Sequence, residues 1–125
     1  AMRMRDFQAV QLRVAGAGTK VDAARLIIRN DCLEAQRIAE ENRAPSIEGK
    51  LRFKRNVAYA MERCTEAVDE LHALAGANGI YDRYPIQRLF RDQHALAAHI
   101  GFSWDAQGAP WGLVVLGGEF SSPIL

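Results

Sequence analysis

The residues best suited to chemistry are concentrated at residues 85–105, which read PIQRLFRDQHALAAHIGFSWD. Residues 88–99 of this segment hold two arginines, an aspartate and two histidines, namely Arg88, Arg91, Asp92, His94 and His99. Histidine changes protonation state near neutral pH, so it can act as an acid, a base or a hydrogen-bond donor. A helix that only packs needs an apolar stripe and a solvated face, and no ionisable cluster. The segment is therefore the first candidate for a functional site.

Helical spacing decides which of these side chains can meet. Steps of four, three and four residues place Arg88, Asp92, Ala95 and His99 on one face of a predicted helix. Arg88 and Asp92 can pair across one turn, whereas His99 lies about 10 Å beyond Asp92 along the axis. No His–Asp catalytic couple is predicted within this helix. The alternative interpretation is that both histidines are ordinary hydrogen-bonding residues at or near the surface.

Other site chemistries find little support. Two histidines five residues apart do not share a helical face and have no third ligand, so no metal site is predicted. Cys32 and Cys64 lack metal-ligand spacing. We expect them to be reduced thiols in a packed interior, with a disulfide as the alternative. No G-x-S-x-G motif indicates a serine nucleophile.

A glycine-rich stretch, LAGANGIYDRYP, precedes the candidate segment. Gly76, Asn78 and Gly79 tolerate left-handed backbone conformations, which predicts a helix C-cap followed by a tight turn. The functional alternative is a cradle of backbone N–H groups for a phosphate or the edge of a flavin.

The elements that position these residues are predicted from apolar residues at alternating steps of three and four. In the first helix the series comprises Phe7, Val10, Val14, Ala17, Val21, Ala24, Ile28, Ala35 and Ile38, with Asp31 in the one missing slot. It predicts a helix over residues 4–42 that continues through Gly16 and Gly18. Further helices are predicted over residues 46–75, 85–104 and 109–117. The expected fold is a single all-α domain over residues 1–125, an up-down bundle of three long helices and a short C-terminal helix.

Composition and charge limit the classes of partner and the cellular compartment that we expect. A net charge of +1 predicts neither a nucleic-acid nor an anionic-membrane partner. No apolar run approaches 18 residues and no signal-like segment opens the chain, so we expect a soluble cytoplasmic protein. Several apolar residues lie off the main seam, namely Leu12, Leu26, Ile27 and Leu33. They predict a homo-oligomer, a dimer or a tetramer.

The stretch from the glycine loop to the WGLVVLG segment resembles the C-terminal helical domain of the acyl-CoA dehydrogenase superfamily. The resemblance is carried by the LAGA loop, the P-x-Q-R-x-[FW]-R-D signature that ends at Asp92, His99 seven residues later, the WDAQG turn and the LG-x-x-x-x-S-P-x-L ending. It is strongest to the flavin-dependent monooxygenases, the oxygenase components of two-component aromatic hydroxylases. Complete members of that branch are roughly three times as long, so the chain is expected to be a fragment or remnant of a larger flavoenzyme.

The resemblance implies a role for each matching residue. His99 matches a catalytic histidine that faces the reactive edge of the flavin, where it assists deprotonation of a phenol or stabilises the flavin hydroperoxide. Cofactor contacts are implied for the loop and for the turn beside the pocket, namely Gly76, Ala77, Asn78, Gly79, Trp104 and Asp105. Arg88, Arg91 and Asp92 match a structural motif that anchors the third helix.

The resemblance also implies partners and leaves three functions open. The parent enzyme would use reduced FMN, with FAD as the alternative, a small aromatic substrate and a flavin reductase; the isolated domain is expected to lack activity and not to retain flavin. A second reading is an acyl-CoA dehydrogenase, but Ile100 occupies the position of the glutamate base that many dehydrogenases carry on this helix. A third reading is a non-catalytic oligomerisation module, since these domains form the tetramer core in the superfamily.

Overall fold

Four α-helices make up most of the chain: α1 (Gln8–Glu40), α2 (Ile47–Ala75), α3 (Pro85–Ala97) and α4 (Trp104–Val115). Short 3₁₀ helices occur at Met4–Asp6, Gly76–Ile80 and Ile100–Phe102. The computed structural model describes residues 1–123 and 125, and these residues contain no β-strand. The predicted all-α class is confirmed.

The predicted seam of α1 is the face that packs against α2. Its buried residues recur every seven positions and are Ala17, Ala24, Asp31 and Ile38. The helix runs unbroken through Gly16 and Gly18, as its apolar periodicity predicts. It begins later than predicted, at Gln8, because Phe7 is extended and separates it from the 3₁₀ turn before it.

The central element is α2, which contacts all three other α-helices. It begins where predicted, because the Ser46 hydroxyl accepts a hydrogen bond from the Gly49 N–H at 3.1 Å and caps the first turn. α1 runs antiparallel to it and is fastened by Arg52, which donates two hydrogen bonds to the Glu34 carboxylate at 2.8 and 2.9 Å. These bonds raise the pKa of Arg52 and lower that of Glu34.

α3 and α4 follow one another along a different side of α2, and both run antiparallel to it. Gln93 of α3 donates to the Thr65 hydroxyl at 3.0 Å. Further along, the Trp111 indole of α4 donates to Glu48 at 2.9 Å, near the start of α2. The two helices therefore form one interrupted rod, and the interruption lies opposite the middle of α2.

The predicted bounds of these two helices are wrong. α3 ends at Ala97 and not near residue 104, and α4 begins at Trp104 and not at residue 109. The reason is local capping: His99 Nδ1 accepts from the Gly101 N–H, and Ser103 Oγ accepts from the Ala106 N–H. Side-chain acceptors thus replace the main-chain bonds of a continuous helix.

Gly108 and Pro110 lie inside α4. A proline in a helix interior costs about 3 kcal/mol. Packing of Trp111 offsets part of this cost, since the guanidinium carbon of Arg55 lies 3.6 Å from the centre of the Trp111 ring.

Candidate functional site

The break between α3 and α4 holds the histidine singled out by the sequence. His99 lies after the end of α3. The prediction that it shares a helical face with Arg88 and Asp92 is therefore wrong. Its backbone is extended, with φ −67° and ψ 137°, and it caps the 3₁₀ turn Ile100–Phe102. The ring lies at a tilt beside Phe102, with centroids 5.6 Å apart, and the residue is exposed. The sequence thus identified a histidine at an exposed turn.

A cavity of about 460 Å³ opens beside this turn. Its wall is built by the turn and the first residues of α4, and its floor by α2. The lining residues are Met61, Glu62, Thr65, Glu66, Ala97, Phe102, Ser103, Trp104 and Asp105. Trp104 is held at the rim by an edge contact with Tyr59, with ring centroids 6.2 Å apart. Trp104 and Asp105 therefore lie beside a pocket, whereas His99 is on the same turn but outside the lining.

The floor of this cavity carries carboxylates that are already paired. Arg63 contacts Glu66 at 2.6 Å and Glu62 at 3.5 Å. Lys20 of α1 pairs with Glu70 and, at 3.4 Å, with Glu66. The hydrogen bond to Glu70 raises the pKa of Lys20, so this cation stays charged throughout the neutral range. These ion pairs tie the cavity floor to α1.

The glycine loop forms the 3₁₀ helix Gly76–Ile80 and is held in place by a side chain of α2. Gly76 caps α2 with φ 57°, which confirms the predicted cap; Asn78 and Gly79 do not adopt positive φ. Gly79 is buried against His72, whose Nε2 lies 3.1 Å from the Gly79 carbonyl oxygen. His72 in turn stacks on Phe90 of α3, with centroids 4.0 Å apart. Ala77 and Asn78 remain exposed on the outer side of the loop.

The structure divides the predicted cofactor residues into two groups. The Gly76–Ile80 loop lies near the start of α3, whereas His99, Trp104 and Asp105 follow its end. A helix of 13 residues is about 20 Å long at 1.5 Å per residue. The two groups therefore do not form one compact site within this chain.

The arginine and aspartate motif lies on the exposed face of α3. Arg88 and Asp92 form the predicted pair, with a nitrogen–oxygen distance of 3.4 Å. Their side chains are 76% and 63% exposed and Arg91 is also exposed, so this pair does not fasten α3 to α2.

Attachment of α3 comes instead from side-chain contacts that the sequence did not predict. Gln93 Nε2 lies 3.0 Å from both the Thr65 hydroxyl and the Met61 sulfur. His94 Nε2 lies 2.6 Å from an Asp69 carboxylate oxygen. Asp69 and His94 are 25 positions apart, so no local spacing signalled the pair. Only the predicted antiparallel order of the helices could have suggested it.

Two further properties follow from the described residues, 1–123 and 125. Within them, no group of three or more His, Cys, Asp or Glu side chains is placed to hold a metal ion. None of the helices they form combines the length and the apolar character needed to cross a bilayer.

Two known proteins with similar sequences are oxygenase components. The chain is 36% identical over 121 residues to the oxygenase component of an FADH(2)-dependent resorcinol hydroxylase from Rhizobium sp. (strain MTP-10005). That alignment covers 94% of this chain and 30% of the relative. It is 33% identical over 108 residues to the oxygenase component of p-hydroxyphenylacetate 3-hydroxylase from Acinetobacter baumannii, covering 86% of this chain and 26% of the relative. The chain thus spans about a third or less of the curated relatives it matches.

The fold recurs in a solved structure, and a family model covers most of the sequence. The crystal structure of 3-HSA hydroxylase from Rhodococcus sp. RHA1 superposes with a TM-score of 0.90 at 21% identity, over 100% of this chain and 32% of that one. At this identity the likeness establishes the fold alone. The model described as "Acyl-CoA dehydrogenase, C-terminal domain" matches residues 1–104. The chain therefore belongs to the acyl-CoA dehydrogenase C-terminal domain family.

Proposed function

We propose that this chain is the C-terminal domain of the oxygenase component of a two-component monooxygenase that hydroxylates a small phenolic compound. The observation that carries the proposal is the turn between α3 and α4. It presents an exposed imidazole at His99, and Ile100 beside it is 68% exposed and cannot accept a proton. This turn therefore offers hydrogen-bond chemistry to a ligand and lacks a carboxylate base. Two oxygenase components among its relatives support the same reading.

The residues of the turn suit a flat aromatic partner. Phe102 and Trp104 supply aromatic surface at the cavity wall, and His99 supplies a polar group on the same turn. Ring systems bind well where aromatic side chains meet a small number of oriented polar groups. A bound reduced flavin would supply the activation of O₂. The part of this chain would be to orient the phenol, to cover the ring edge and to hydrogen-bond an oxygen atom through His99.

We also propose that the Gly76–Ile80 loop contacts a flavin that is held mainly by a neighbouring subunit. Ala77 and Asn78 lie exposed at its tip, while His72 holds Gly79 from the inner side. The length of α3 that separates this loop from His99 suits contacts to two different flavins, one at each end of the helix. We propose reduced FMN or FAD as the cofactor and a flavin reductase as the partner. The name of the Rhizobium relative, which specifies FADH(2), favours FAD for that protein.

The test is a His99→Ala variant of the oxygenase that carries this domain, supplied with reduced flavin by its reductase. Loss of a positioned hydrogen-bonding group at a reacting centre typically lowers the rate by roughly 10²-fold or more. We expect slower hydroxylation and more hydrogen peroxide released per reduced flavin consumed, measured by stopped-flow absorbance and product analysis.

The matched control is His94→Ala, which removes an exposed histidine that pairs with Asp69 away from the turn. It should leave the ratio of product to peroxide unchanged. A His99→Ala enzyme with wild-type hydroxylation and wild-type peroxide release would contradict the assigned role. Flavin titration with FMN and FAD, each reduced under anaerobic conditions, then decides between the two cofactors.

A second candidate function, a helical oligomerisation module, is favoured by the exposed apolar residues of α1. Leu12, Leu26 and Leu33 are 65%, 68% and 56% exposed. Flavin retention by the purified 125-residue chain would indicate a binding pocket. A colourless oligomer fits both functions, and hydroxylation by the His99→Ala oxygenase then decides, because a module that only assembles subunits predicts an unchanged rate.

A further inference from the structure

The Gly101 amide fixes the tautomer of His99. Its N–H donates a hydrogen bond to His99 Nδ1 at 2.9 Å. A backbone amide can only donate, so Nδ1 must present a lone pair. A neutral imidazole carries one ring hydrogen, which therefore lies on Nε2.

The turn allows little freedom for another arrangement. The Phe102 N–H donates to the His99 carbonyl at 2.9 Å, and the Ser103 N–H donates to the Ile100 carbonyl at 3.1 Å. Gln107 Nε2 donates to the same Ile100 oxygen at 3.2 Å. A Cβ at position 101 would lie 3.0 Å from Nδ1, so glycine permits this close approach. Protonated Nδ1 would set two N–H groups against each other within this turn.

His94 shows the contrasting arrangement in the same chain. Its Nε2 lies 2.6 Å from an Asp69 carboxylate oxygen. No carboxylate of the described residues, 1–123 and 125, forms such a pair with His99. The fold thus holds one carboxylate-paired histidine and one amide-capped histidine.

We propose that His99 acts on its ligand as a hydrogen-bond donor through Nε2–H and not as a proton acceptor, and that the Gly101 amide is the group that sets this role. The acceptor would be a ligand oxygen with negative charge, such as that of a phenolate. The assignment rests on the proposed function, because it names the direction of the hydrogen bond at the same site. A base at Nε2 would require the other tautomer, in which Nδ1 and the Gly101 N–H would both be donors.

Nitrogen NMR of the 125-residue chain tests the tautomer without any activity. In a sample labelled with ¹⁵N-histidine, long-range ¹H–¹⁵N spectra at pH 8 distinguish protonated from unprotonated ring nitrogens. We expect His99 to show protonated Nε2 and unprotonated Nδ1, with the signal assigned by its loss in His99→Asn. Protonated Nδ1, or averaging between both tautomers, would overturn the proposal while leaving the monooxygenase assignment standing.

Two variants of the oxygenase separate the two ring nitrogens. Asparagine places an oxygen near the position of Nδ1, so His99→Asn keeps the cap on Gly101 and loses the outer donor. Glutamine reaches the position of Nε2, so His99→Gln keeps an outer N–H donor and loses the cap. We expect His99→Gln to retain at least several-fold more product per flavin than His99→Asn. Thermal melts of the 125-residue chain should show the opposite order, with His99→Asn closer to wild type.

Equal product yields from both variants, or a higher yield from His99→Asn, would overturn the donor role. The NMR test of the His99 tautomer is independent of the monooxygenase proposal. A wild-type enzyme that fails to hydroxylate any phenol would remove the proposed function and leave the NMR assignment of His99 intact.

Discussion

Asp31 is a buried carboxylate in the otherwise apolar seam of α1. It is 7% exposed and occupies a position in the seam of α1 where the neighbouring turns carry alanine and isoleucine. Both carboxylate oxygens lie 3.1 Å from Asn56 Nδ2 of α2. Burial raises the pKa of Asp31, and the hydrogen bond from Asn56 opposes this shift only in part. The ionised carboxylate is therefore a cost to folding that Asn56 reduces.

The pH dependence of this cost has a definite sign. The folded state binds the Asp31 proton more tightly than the unfolded state, so stability falls as pH rises from the ordinary value of 3.8 through the raised pKa of the folded protein. Asp31→Asn removes the charge and keeps an acceptor for Asn56. We expect it to raise the free energy of unfolding at pH 7 by on the order of 1 kcal/mol, with a gain that disappears below about pH 4. Chemical denaturation between pH 3 and pH 8 measures this.

Asp31→Ala is the control for the hydrogen bond. It leaves the Asn56 amide without its acceptor and should destabilise the protein at every pH in that range. A gain from Asp31→Asn that did not change with pH would show that the charge is not the cause.

At the scale of elements, the connection between α2 and α3 is organised by a side chain and not by turn propensity alone. His72 lies under the Gly76–Ile80 helix, with Nε2 3.1 Å from the Gly79 carbonyl oxygen, and its ring stacks on Phe90. A Cβ at Gly79 would lie 2.9 Å from His72 Nε2. The loop, α2 and α3 are thus joined by one close contact that requires glycine.

Gly79→Ala should therefore be costly. We expect a loss of about 1–3 kcal/mol from displacement of His72 and its stacking on Phe90, together with faster amide exchange across residues 76–81. Gly18→Ala is the matched control, because a Cβ there meets nothing within 4 Å and lies inside α1. It should stabilise the protein by up to about 1 kcal/mol.

The double variant Gly79→Ala with His72→Ala relieves the contact. The stability lost in the double variant should be smaller than the sum of the stabilities lost in the two single variants. Equal effects of alanine at positions 79 and 18 would show that the His72 contact does not organise the loop.

At the scale of the whole molecule, the chain exposes more surface than its mass predicts. Its accessible area is 8763 Å² for 13.9 kDa. A compact monomer of this mass would expose about 6,700 Å². The difference, roughly 2,000 Å², is more than twice the about 800 Å² that one partner buries in a standard protein interface. Since α2 occupies the middle and α1 flanks it on one side, the outer face of α1 remains open to a partner.

We therefore expect the 125-residue chain to form a dimer or a tetramer through α1. Leu26 and Leu33 are one heptad apart on its exposed face. Leu26→Glu with Leu33→Glu should shift the protein to a monomer with unchanged helix content, measured by size-exclusion chromatography with light scattering and by circular dichroism. Arg29→Glu controls for the added negative charge, because Arg29 is an exposed polar residue on the same helix. A wild-type chain that stays monomeric at high concentration would remove this expectation.

Much of the helical scaffold could be predicted because its causes are local. The seam of α1, its passage through Gly16 and Gly18, the start of α2 at Ser46 and the cap at Gly76 all follow from side-chain periodicity and capping chemistry within a few residues. The Arg88–Asp92 pair is local in the same sense, since its members are one helical turn apart. His99 was also selected as a candidate from its neighbours in the sequence.

By itself the sequence determined the all-α class, the seam residues and the identity of the candidate histidine. The tertiary structure alone decided how those residues are used. It placed His99 after the end of α3, separated the glycine loop from it by the length of that helix, and paired His94 with Asp69 across 25 positions. The physical reason is range: periodicity and caps act within one or two turns, whereas the position of α4 on α2 depends on how Trp104 and Trp111 pack against a helix some 50 residues earlier.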